Sequence, residues 1–310
     1  MPQTTALLGL LAETPLHAGT GQTFGLIDLP IQREAHTDWP CVYGSAMKGA
    51  LRARAEDLYP DQRRTGWIVD VFGPEATPEK GDGAPQPSDH GGALAVTDAR
   101  LLLLPVRSLT GFYKWVTCPA LLRRFGQDRR RLLGEEPFAL AEAALPKDDG
   151  KRLEAVVCQD GGDLFLEEFR FVARTESKTL EPVVGAIAPL LGGNPAKPDL
   201  RQRLAVVGDD LFTHLARFAT AVAAHIRIEG ERKTVRDGAL WYEETLPPDT
   251  VLYTGLLAAA SRREGATLTA ADILAHATRS LFPAGDEYLQ VGGNETVGMG
   301  WCRVVTIGRG

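Results

Sequence analysis

A single acidic residue, Asp28, lies among apolar residues in the stretch GLIDLPIQRE, which spans residues 25–34. Pro30 follows closely and opposes a helix, so the acid is predicted to lie in a loop. A carboxylate presented by a loop can accept a proton or hold a hydrated divalent cation. The same residues fit a plain structural role, an Asx-turn acid or a partner for Arg33, and taken alone they favour that role.

A second stretch, GSAMKGALR at residues 44–52, is typical of an anion site at the start of a helix. Gly44 and Ser45 allow close approach to free backbone N–H groups at the positive end of the helix dipole. Lys48 and Arg52 are four residues apart and therefore share one helix face. The alternative is a capped surface helix with solvated cations, which the spacing alone slightly favours. The order of residues is not that of a Walker A loop.

A glycine-rich stretch near the end of the chain, GGNETVGMGW, has the freedom to bring its backbone close to a ligand. The residues that define it are Gly292, Gly293, Asn294, Gly298 and Gly300. A twisted hairpin or bulge explains the same glycines equally well. An earlier glycine stretch, HAGTGQTFG, is one residue longer than the dinucleotide fingerprint and precedes no helix, which disfavours a nicotinamide enzyme.

The segment HIRIEGERKTVRDGALW is predicted to form an extended hairpin that carries many cations. These cations are His225, Arg227, Arg232, Lys233 and Arg236, and the segment ends at Trp241 and Tyr242. Cations can follow nucleic-acid phosphates, while aromatic rings stack on bases or wedge between them. A charged edge hairpin that resists aggregation is the common alternative. The basic run at residues 123–131 is predicted to be a solvated helix face.

Composition is that of a globular protein with an ordinary core. The 310 residues are 44% hydrophobic and 24% charged. The four cysteines form no CxxC pair, and the N-terminal apolar run has no preceding Lys or Arg, so we expect a cytoplasmic protein without a zinc knuckle or signal peptide. The net charge of −6 counts against nucleic acid as a partner unless cations cluster locally, as they do in the segments above.

The predicted elements alternate between strands and helices, which favours an α+β sandwich of the ferredoxin-like type. Strands are predicted at residues 4–16, 93–106, 221–244 as a hairpin, 250–260 and 289–308. Helices are predicted at residues 45–59 with Ser45 as N-cap, 118–134, 209–220 and 269–282 with Thr269 as cap. Residues 74–92 are predicted to be a flexible insertion, and residues 135–205 a helical or irregular one.

In their order along the chain, these features resemble the backbone subunit of type III-B (Cmr) CRISPR RNA-guided effector complexes, in the RAMP superfamily. The resemblance rests on TPLHAGTGQTFGLIDLPIQRE, WPCVYGSAMKGALR, LTGFYKWVTCPALLRRF, GALWYEETLPPDTVLY and LQVGGNETVGMGW, between about residues 14 and 301. It implies a single domain over residues 1–310, with an RRM-like palm, large insertions and a β-hairpin thumb at about residues 225–240. It also implies a filament of identical subunits along one guide RNA, together with other Cmr-complex subunits.

In the family that this sequence resembles, each thumb wedges into the guide–target duplex and a nearby loop acid cuts the target RNA. Asp28 falls on that acid, and His17, Glu243 and Glu244 are the expected helpers. Guide RNA is expected at Gly44, Ser45, Lys48, Arg52, the 292–300 loop and the thumb cations. RNA supplies its own 2′-OH nucleophile, so one carboxylate can suffice, with 2′,3′-cyclic phosphate and 5′-OH products. A divalent metal, Mg²⁺ or Mn²⁺, is expected at Asp28.

Two other functions within RNA biology stay open at this point. The chain could be a non-catalytic RNA-binding subunit of a complex that cuts elsewhere. It could also be a guide-processing endoribonuclease of the same superfamily, which would be expected to have a histidine near the glycine loop. The stretch GGNETVGMGW contains no histidine, and this weighs against the processing enzyme.

Overall fold

The computed structural model describes residues 4–22, 25–74, 90–147, 152–228 and 235–308. The strands are β1 Thr4–Ala12, β2 Cys41–Val42, β3 Leu94–Val96, β4 Ala99–Arg107, β5 Tyr113–Thr117, β6 Leu153–Val157, β7 Gly162–Leu166, β8 Phe169–Thr175, β9 Leu204–Val206, β10 Ala221–Ile228, β11 Val235–Thr245, β12 Val251–Ala258, β13 Tyr288–Gln290 and β14 Trp301–Gly308. The helices are α1 Gly44–Leu58, α2 Trp67–Phe72, α3 Pro119–Leu133, α4 Ser177–Ile187, α5 Lys197–Arg203, α6 Asp209–Phe218 and α7 Ala270–Ala275. The predicted α+β class is confirmed.

Strand β1 is an inner strand of a large mixed sheet. It pairs antiparallel with β12 on one side and with β14 on the other, so that Leu8 lies opposite both Thr254 and Thr306. Its side chains alternate between two cores, because successive strand residues point to opposite faces of a sheet. Leu8 and Leu10 face the core that includes α1, α2, α6 and α7, whereas Leu7 and Leu11 face the core that includes α4 and α5. Cover on both faces explains why β1 has no polar side chain after Thr5.

Residues 135–205 were predicted to be a helical or irregular insertion, and this prediction is wrong because the region also forms strands. Strands β6, β7, β8 and β9 lie in this region and extend the main sheet beyond β5, in the order β5-β9-β6-β8-β7. The strands are only three to seven residues long and are separated by turns with Asp160 and Glu167 in the left-handed region. Such short strands, with two parallel pairings between distant segments, leave little periodic signal in a sequence.

Several predicted boundaries shift in the structure. The first strand ends at Ala12 and not at Pro15. The helix predicted at residues 45–59 begins at Gly44, and its N-cap is Tyr43, not Ser45. Thr269 does cap α7 through a capping box with Asp272, but the α-helix stops at Ala275 and continues as a π turn. Boundaries depend on tertiary contacts that a local pattern does not contain.

The predicted hairpin is present as a separate two-stranded sheet. Strands β10 and β11 pair antiparallel from Ala221↔Thr245 to Ile228↔Val235, with an irregularity between Ile226 and Ile228. Residues 229–234, with Arg232 and Lys233, lie outside the described residues, as do the Arg236 side chain and most of the predicted 74–92 insertion. The single-domain division into palm, insertions and thumb stays a prediction. Within the described ranges, no helix combines the length and apolarity needed to cross a membrane.

A buried polar cluster joins α3 to two strands of the sheet. Asp128 of α3 accepts hydrogen bonds from the Tyr253 hydroxyl at 2.9 Å and from Arg100 Nη1 at 2.7 Å. Burial, followed by the charge of Asp128, raises the pKa of Tyr253, so the hydroxyl stays protonated and donates. The cluster therefore fixes α3 against β4 and β12.

We expect Tyr253→Phe to lower the free energy of unfolding by about 1 kcal/mol, because Asp128 loses one neutral donor but keeps Arg100. Urea denaturation checks this value. Tyr288→Phe is the matched control, since the Tyr288 hydroxyl makes no hydrogen bond with a described residue. Equal losses in the two variants would contradict the proposed contribution of the cluster.

Candidate functional site

The loop that carries Asp28 pairs with the base of the hairpin. Leu29 donates its N–H to the Tyr242 carbonyl at 3.0 Å and accepts the N–H of Glu244 at 3.0 Å. The N–H of Tyr242 donates to Asp28 Oδ2 at 2.8 Å. The Asp28 side chain is only half-buried. It forms neither an Asx turn nor a pair with Arg33, so both structural alternatives for this acid are wrong.

Glu244 is the buried anchor of this pairing. Its Oε1 accepts hydrogen bonds from Arg33 Nη2 at 2.5 Å and from Thr220 Oγ1 at 2.7 Å, and its Oε2 accepts the N–H of Ile31 at 3.1 Å. The side chain is 3% exposed. Both oxygens are therefore committed to contacts that hold the Asp28 loop on the hairpin. This geometry gives Glu244 a positioning role and leaves it no free oxygen for the predicted helper role.

Glu243 faces the opposite side of β11, where polar groups from three segments converge. Asn294 Nδ2 donates to its Oε1, His17 Nδ1 lies 3.5 Å from Oε1, and His225 Nε2 lies 3.7 Å from Oε2. His17 Nδ1 also lies 2.7 Å from the Glu244 carbonyl oxygen, which can only accept, so Nδ1 carries the hydrogen. The structure thus brings together four residues that the sequence analysis selected in separate motifs.

The glycine loop at residues 292–300 packs on the segment that contains His17. Gly293 donates its N–H to the His17 carbonyl at 2.9 Å. A Cβ at Gly292 would lie 2.2 Å from that same oxygen, and a Cβ at Gly19 would lie 2.6 Å from His17 Nε2. A Cβ at Gly300 would lie 2.1 Å from the Val291 carbonyl oxygen. Steric packing therefore explains why these three positions are glycine, whereas a Cβ at Gly298 would meet no atom within 4 Å.

Gln32 links the His17 segment to α1, and the sequence analysis missed it. Its Nε2 donates to the Gly19 carbonyl at 3.0 Å, and its Oε1 accepts the N–H of Tyr43 at 2.6 Å. The side chain is buried, so both ends of the amide are satisfied within the fold. The start of α1 is thus held next to the segment that follows the Asp28 loop.

The predicted anion site at α1 differs from its expected form. Asp98 Oδ1 already accepts the N–H of Gly44 at 2.7 Å. Arg52 donates to Glu56 Oε1 at 2.7 Å and to the Gly73 carbonyl at 3.0 Å, so most of its guanidinium is used within the fold. Lys48 makes no such contact with a described residue. Burial and then the charges of two nearby arginines lower the pKa of Lys48.

One face of the hairpin exposes apolar side chains. Ile226 lies opposite Leu240, and Ala224 lies opposite Tyr242, so these residues share a face. Ile226, Leu240 and Tyr242 are about half exposed. Leu26, from the loop of Asp28, is 98% exposed. On the other face His225 stacks on Trp241 with 5.5 Å between ring centroids, and Arg227 is exposed.

The run at residues 123–131 is not simply a solvated face, contrary to the prediction. Arg124 donates two hydrogen bonds to Glu34, at 2.7 and 2.8 Å, and its guanidinium lies 5.3 Å from the Trp39 ring centroid. Burial raises the pKa of Glu34, but the hydrogen bonds of Arg124 and Thr37 outweigh burial, so the net pKa is lowered. The charge pattern of the sequence does not show which arginines of a basic run are exposed and which are buried.

Few donor groups of the described residues lie where the metal ion is expected. Among the residues that the structure describes, no three His, Cys, Asp or Glu side chains form a cluster able to hold a metal ion. Asp28 Oδ2 accepts a backbone N–H, while Oδ1 makes no hydrogen bond with a described residue. One open carboxylate oxygen fits a Mg²⁺ ion that keeps most of its waters.

Comparison with known proteins shows the family to which this chain belongs. The model of the RAMP superfamily matches residues 10–303. The chain belongs to the RAMP superfamily. A RAMP relative from Pyrococcus furiosus, named the CRISPR system Cmr endoribonuclease Cmr4, is 35% identical over 300 residues, which cover 96% of this chain and 94% of the relative.

Solved structures of RAMP proteins have the same fold. The crystal structure of oligomeric Cmr4 from Pyrococcus furiosus has a TM-score of 0.71 and 29% identity, and the match covers 99% of both chains. A chain in the cryo-EM structure of the type III-B Cmr-beta complex bound to cognate target RNA has a TM-score of 0.72 and 22% identity, covering 97% of this chain and 96% of that one. The second likeness concerns the fold alone.

We expect Arg33→Ala to lower the free energy of unfolding by about 3 kcal/mol, because it leaves the buried Glu244 carboxylate without its cation. Urea denaturation measures the loss. Arg170→Ala is the control: Arg170 pairs with Asp163 at the surface, and we expect a loss of about 0.5 kcal/mol. A loss in Arg33→Ala no larger than in the control would show that the pair does not anchor the loop.

Proposed function

We propose that this chain is the repeating backbone subunit of a type III-B CRISPR interference complex, which binds guide RNA and cleaves complementary target RNA. Membership of the RAMP superfamily supports this, as does 35% identity to a relative named a Cmr endoribonuclease. A related chain, at 29% identity, occurs in an oligomeric crystal structure. The proposed partners are guide RNA, target RNA, further copies of the chain and other Cmr-complex subunits. We place it in the cytoplasm, with its guide.

The position of Asp28 carries the proposal. The acid is half-exposed at the foot of a hairpin that presents Ile226, Leu240 and Tyr242 to solvent. Apolar and aromatic side chains on a projecting hairpin are suited to wedge between bases and unstack them. A strand splayed in this way would present its sugar–phosphate backbone to the carboxylate. In this proposal the hairpin positions the target strand, and Asp28 acts on its sugar–phosphate backbone.

The proposed reaction needs little covalent chemistry from the protein. The 2′-oxygen of the target attacks the adjacent phosphorus, the bond from phosphorus to the 5′-oxygen breaks, and a 2′,3′-cyclic phosphate and a 5′-OH form. Asp28 accepts the proton of the 2′-OH as the attack begins. The leaving 5′-oxygen takes its proton from water.

His17 and Glu243 support this site from the interior of the fold. Both side chains are buried, and Glu243 is bracketed by His17, His225 and Asn294. We propose that they hold the His17 segment, the hairpin and the glycine loop in register around the cleavage position. Because Asn294 comes from the glycine loop, RNA bound to that loop would be placed relative to Asp28 through this cluster.

We also propose that Asp28 Oδ1 holds a hydrated divalent ion, Mg²⁺ or Mn²⁺, against the target phosphate. Such an ion would supply charge that polarises a phosphate oxygen. The open oxygen is the group of this chain that supports the assignment. The orientation of the carboxylate comes from the Tyr242 N–H and not from the ion.

Asp28→Asn is expected to leave target binding unchanged and to slow cleavage by about 10²- to 10⁴-fold, because the amide can still accept the Tyr242 N–H but cannot take a proton. Assembled complexes are compared for target affinity by gel shift and for cleavage rate in single-turnover assays. Asp61→Asn, at an exposed acid without a hydrogen bond to a described residue, is the control. Full cleavage by Asp28→Asn with normal binding would favour a non-catalytic RNA-binding subunit or an acid elsewhere.

A target RNA with one 2′-deoxy sugar at the cleavage position is expected to resist cutting there, while neighbouring cuts continue. The reason is that the deoxy sugar lacks the attacking oxygen. Denaturing gels read the cuts, and phosphatase treatment of the products identifies the cyclic phosphate. Cleavage at the modified position would show that water attacks, in which case Asp28 would have to activate a water molecule.

A further inference from the structure

The turn between β4 and β5 exposes two large apolar side chains, Leu109 and Phe112, which we call the apolar tip. Leu109 is 80% exposed and Phe112 is 89% exposed. The Ser108 N–H donates to the Phe112 carbonyl at 2.8 Å, and the Tyr113 N–H donates to the Gly111 carbonyl at 2.8 Å. Ser108 is itself buried. Backbone hydrogen bonds thus hold the turn in one shape, with both apolar side chains in solvent.

Phe112 adopts a backbone conformation that bulky residues avoid. Its φ is +64°, in the left-handed region, and it is the central residue of the three-residue turn that the Tyr113 N–H and the Gly111 carbonyl close. A γ-turn with positive φ is rare and strained, and an aromatic residue there is an outlier. Because the ring is exposed, it adds little to the core of a single copy. A strained and exposed aromatic residue therefore points to contact with another molecule.

A cavity of about 590 Å³, which we call the α7 cavity, lies between α7 and the first residues of β1. Its apolar lining comes from Ala271, Leu274, Ala275 and Phe282, and threonines complete it. Arg279 also lines the cavity. It is exposed and makes no ion pair or hydrogen bond with a described residue. The cavity thus offers apolar surface beside one uncompensated positive charge.

The apolar tip and the α7 cavity lie at opposite ends of the strands. The cavity is level with Thr5, which pairs with Leu257, whereas Val251 at the start of β12 pairs with Leu103. Six residues of β12 and then six more, from Leu103 to Leu109, separate the two levels, which is roughly 40 Å of extended chain. The tip of one copy therefore cannot reach its own cavity, but it can enter that of a second copy.

The charges beside the two features are complementary. The Glu167 N–H donates to the Arg107 carbonyl at 3.1 Å, which places the turn of Glu167 and Glu168 beside the apolar tip. Arg107 pairs with Glu167. The Glu168 side chain is 71% exposed, and its one ion pair within the described residues is with His214 at 4.0 Å. An available acid beside the tip thus matches Arg279 beside the cavity.

We propose that the apolar tip of one copy enters the α7 cavity of a second copy, so that copies of this chain join head to tail. Two different surfaces meet in such a contact, and it can repeat without closing, which gives an open filament. A relative at 29% identity occurs in an oligomeric crystal structure. The inference rests on the proposed function, which includes further copies of the chain, and adds the two surfaces that join them.

The test is the mass of the full chain in solution, measured by sedimentation velocity without RNA over a range of concentrations. Leu109→Ser with Phe112→Asn removes the apolar tip, and asparagine tolerates the left-handed turn. Ala271→Trp, at an exposed residue, fills the cavity. Each variant is expected to weaken association by about 30-fold or more, the loss typical of a central apolar anchor. Phe218→Ser is the matched control, because Phe218 is also an exposed ring, and it should associate as the unmodified chain does.

An equal mixture of the tip variant and the cavity variant separates a specific contact from general damage. The cavity variant keeps an intact tip, and the tip variant keeps an intact cavity, so one contact per pair remains. The mixture is expected to form dimers and nothing larger, while each variant alone stays monomeric. Thermal melting of each variant checks that the fold is kept.

The outcomes separate two failures. If the unmodified chain self-associates and the tip variant does so equally, this inference is wrong, the tip faces a different partner, and the proposed function stands. A mixture that remains monomeric would also overturn the inference, since tip and cavity would then not recognise each other. An unmodified chain that stays monomeric at every concentration would instead count against repeated copies, and therefore against the proposed function itself.

Discussion

The ion pair between Arg33 and Glu244 is the contact on which the candidate site depends. Arg33 also donates to the carbonyls of Asp38 and Ala216, so one guanidinium joins the hairpin base, the Asp28 loop and the end of α6. The buried carboxylate of Glu244 in turn holds Ile31. Without this pair, the loop would keep its ladder to β11 and its backbone hydrogen bonds to Ala18 and Thr20, but Glu244 would be a buried carboxylate without a cation. A rigid shell of this kind is what a site needs if one carboxylate is to act on a flexible substrate.

The distribution of charge reconciles an acidic protein with an RNA partner. Most described arginines are neutralised within the fold, as Arg124 is by Glu34 and Arg263 by Asp70. An exposed arginine without an ion pair to a described residue, such as Arg227 of the hairpin, therefore keeps its charge for a partner although the chain carries −6 overall. Net charge describes long-range behaviour, whereas a phosphate responds to the charges within a few ångströms.

Local patterns predicted the elements near the site well, because glycines, prolines and apolar periodicity act within a few residues. They identified the α1 segment, the hairpin and the glycine loop that contains Asn294, whereas His17 and Glu243 were expected only from the family resemblance. They failed for the strands of residues 153–206, whose pairing is set by distant partners. The helper role that the resemblance implied for Glu244 does not fit the structure, because a sequence does not distinguish a free acid from a buried acid that accepts hydrogen bonds from three donors.

The hydrogen bond that orients Asp28 comes from the main chain of Tyr242, which leaves the side chain at that position free to change. Every residue except proline carries this donor. A substitution at position 242 would therefore remove the exposed ring without removing the donor that orients the carboxylate. Under the proposed function, contact with a nucleobase and the orientation of Asp28 could then be changed separately at this one position.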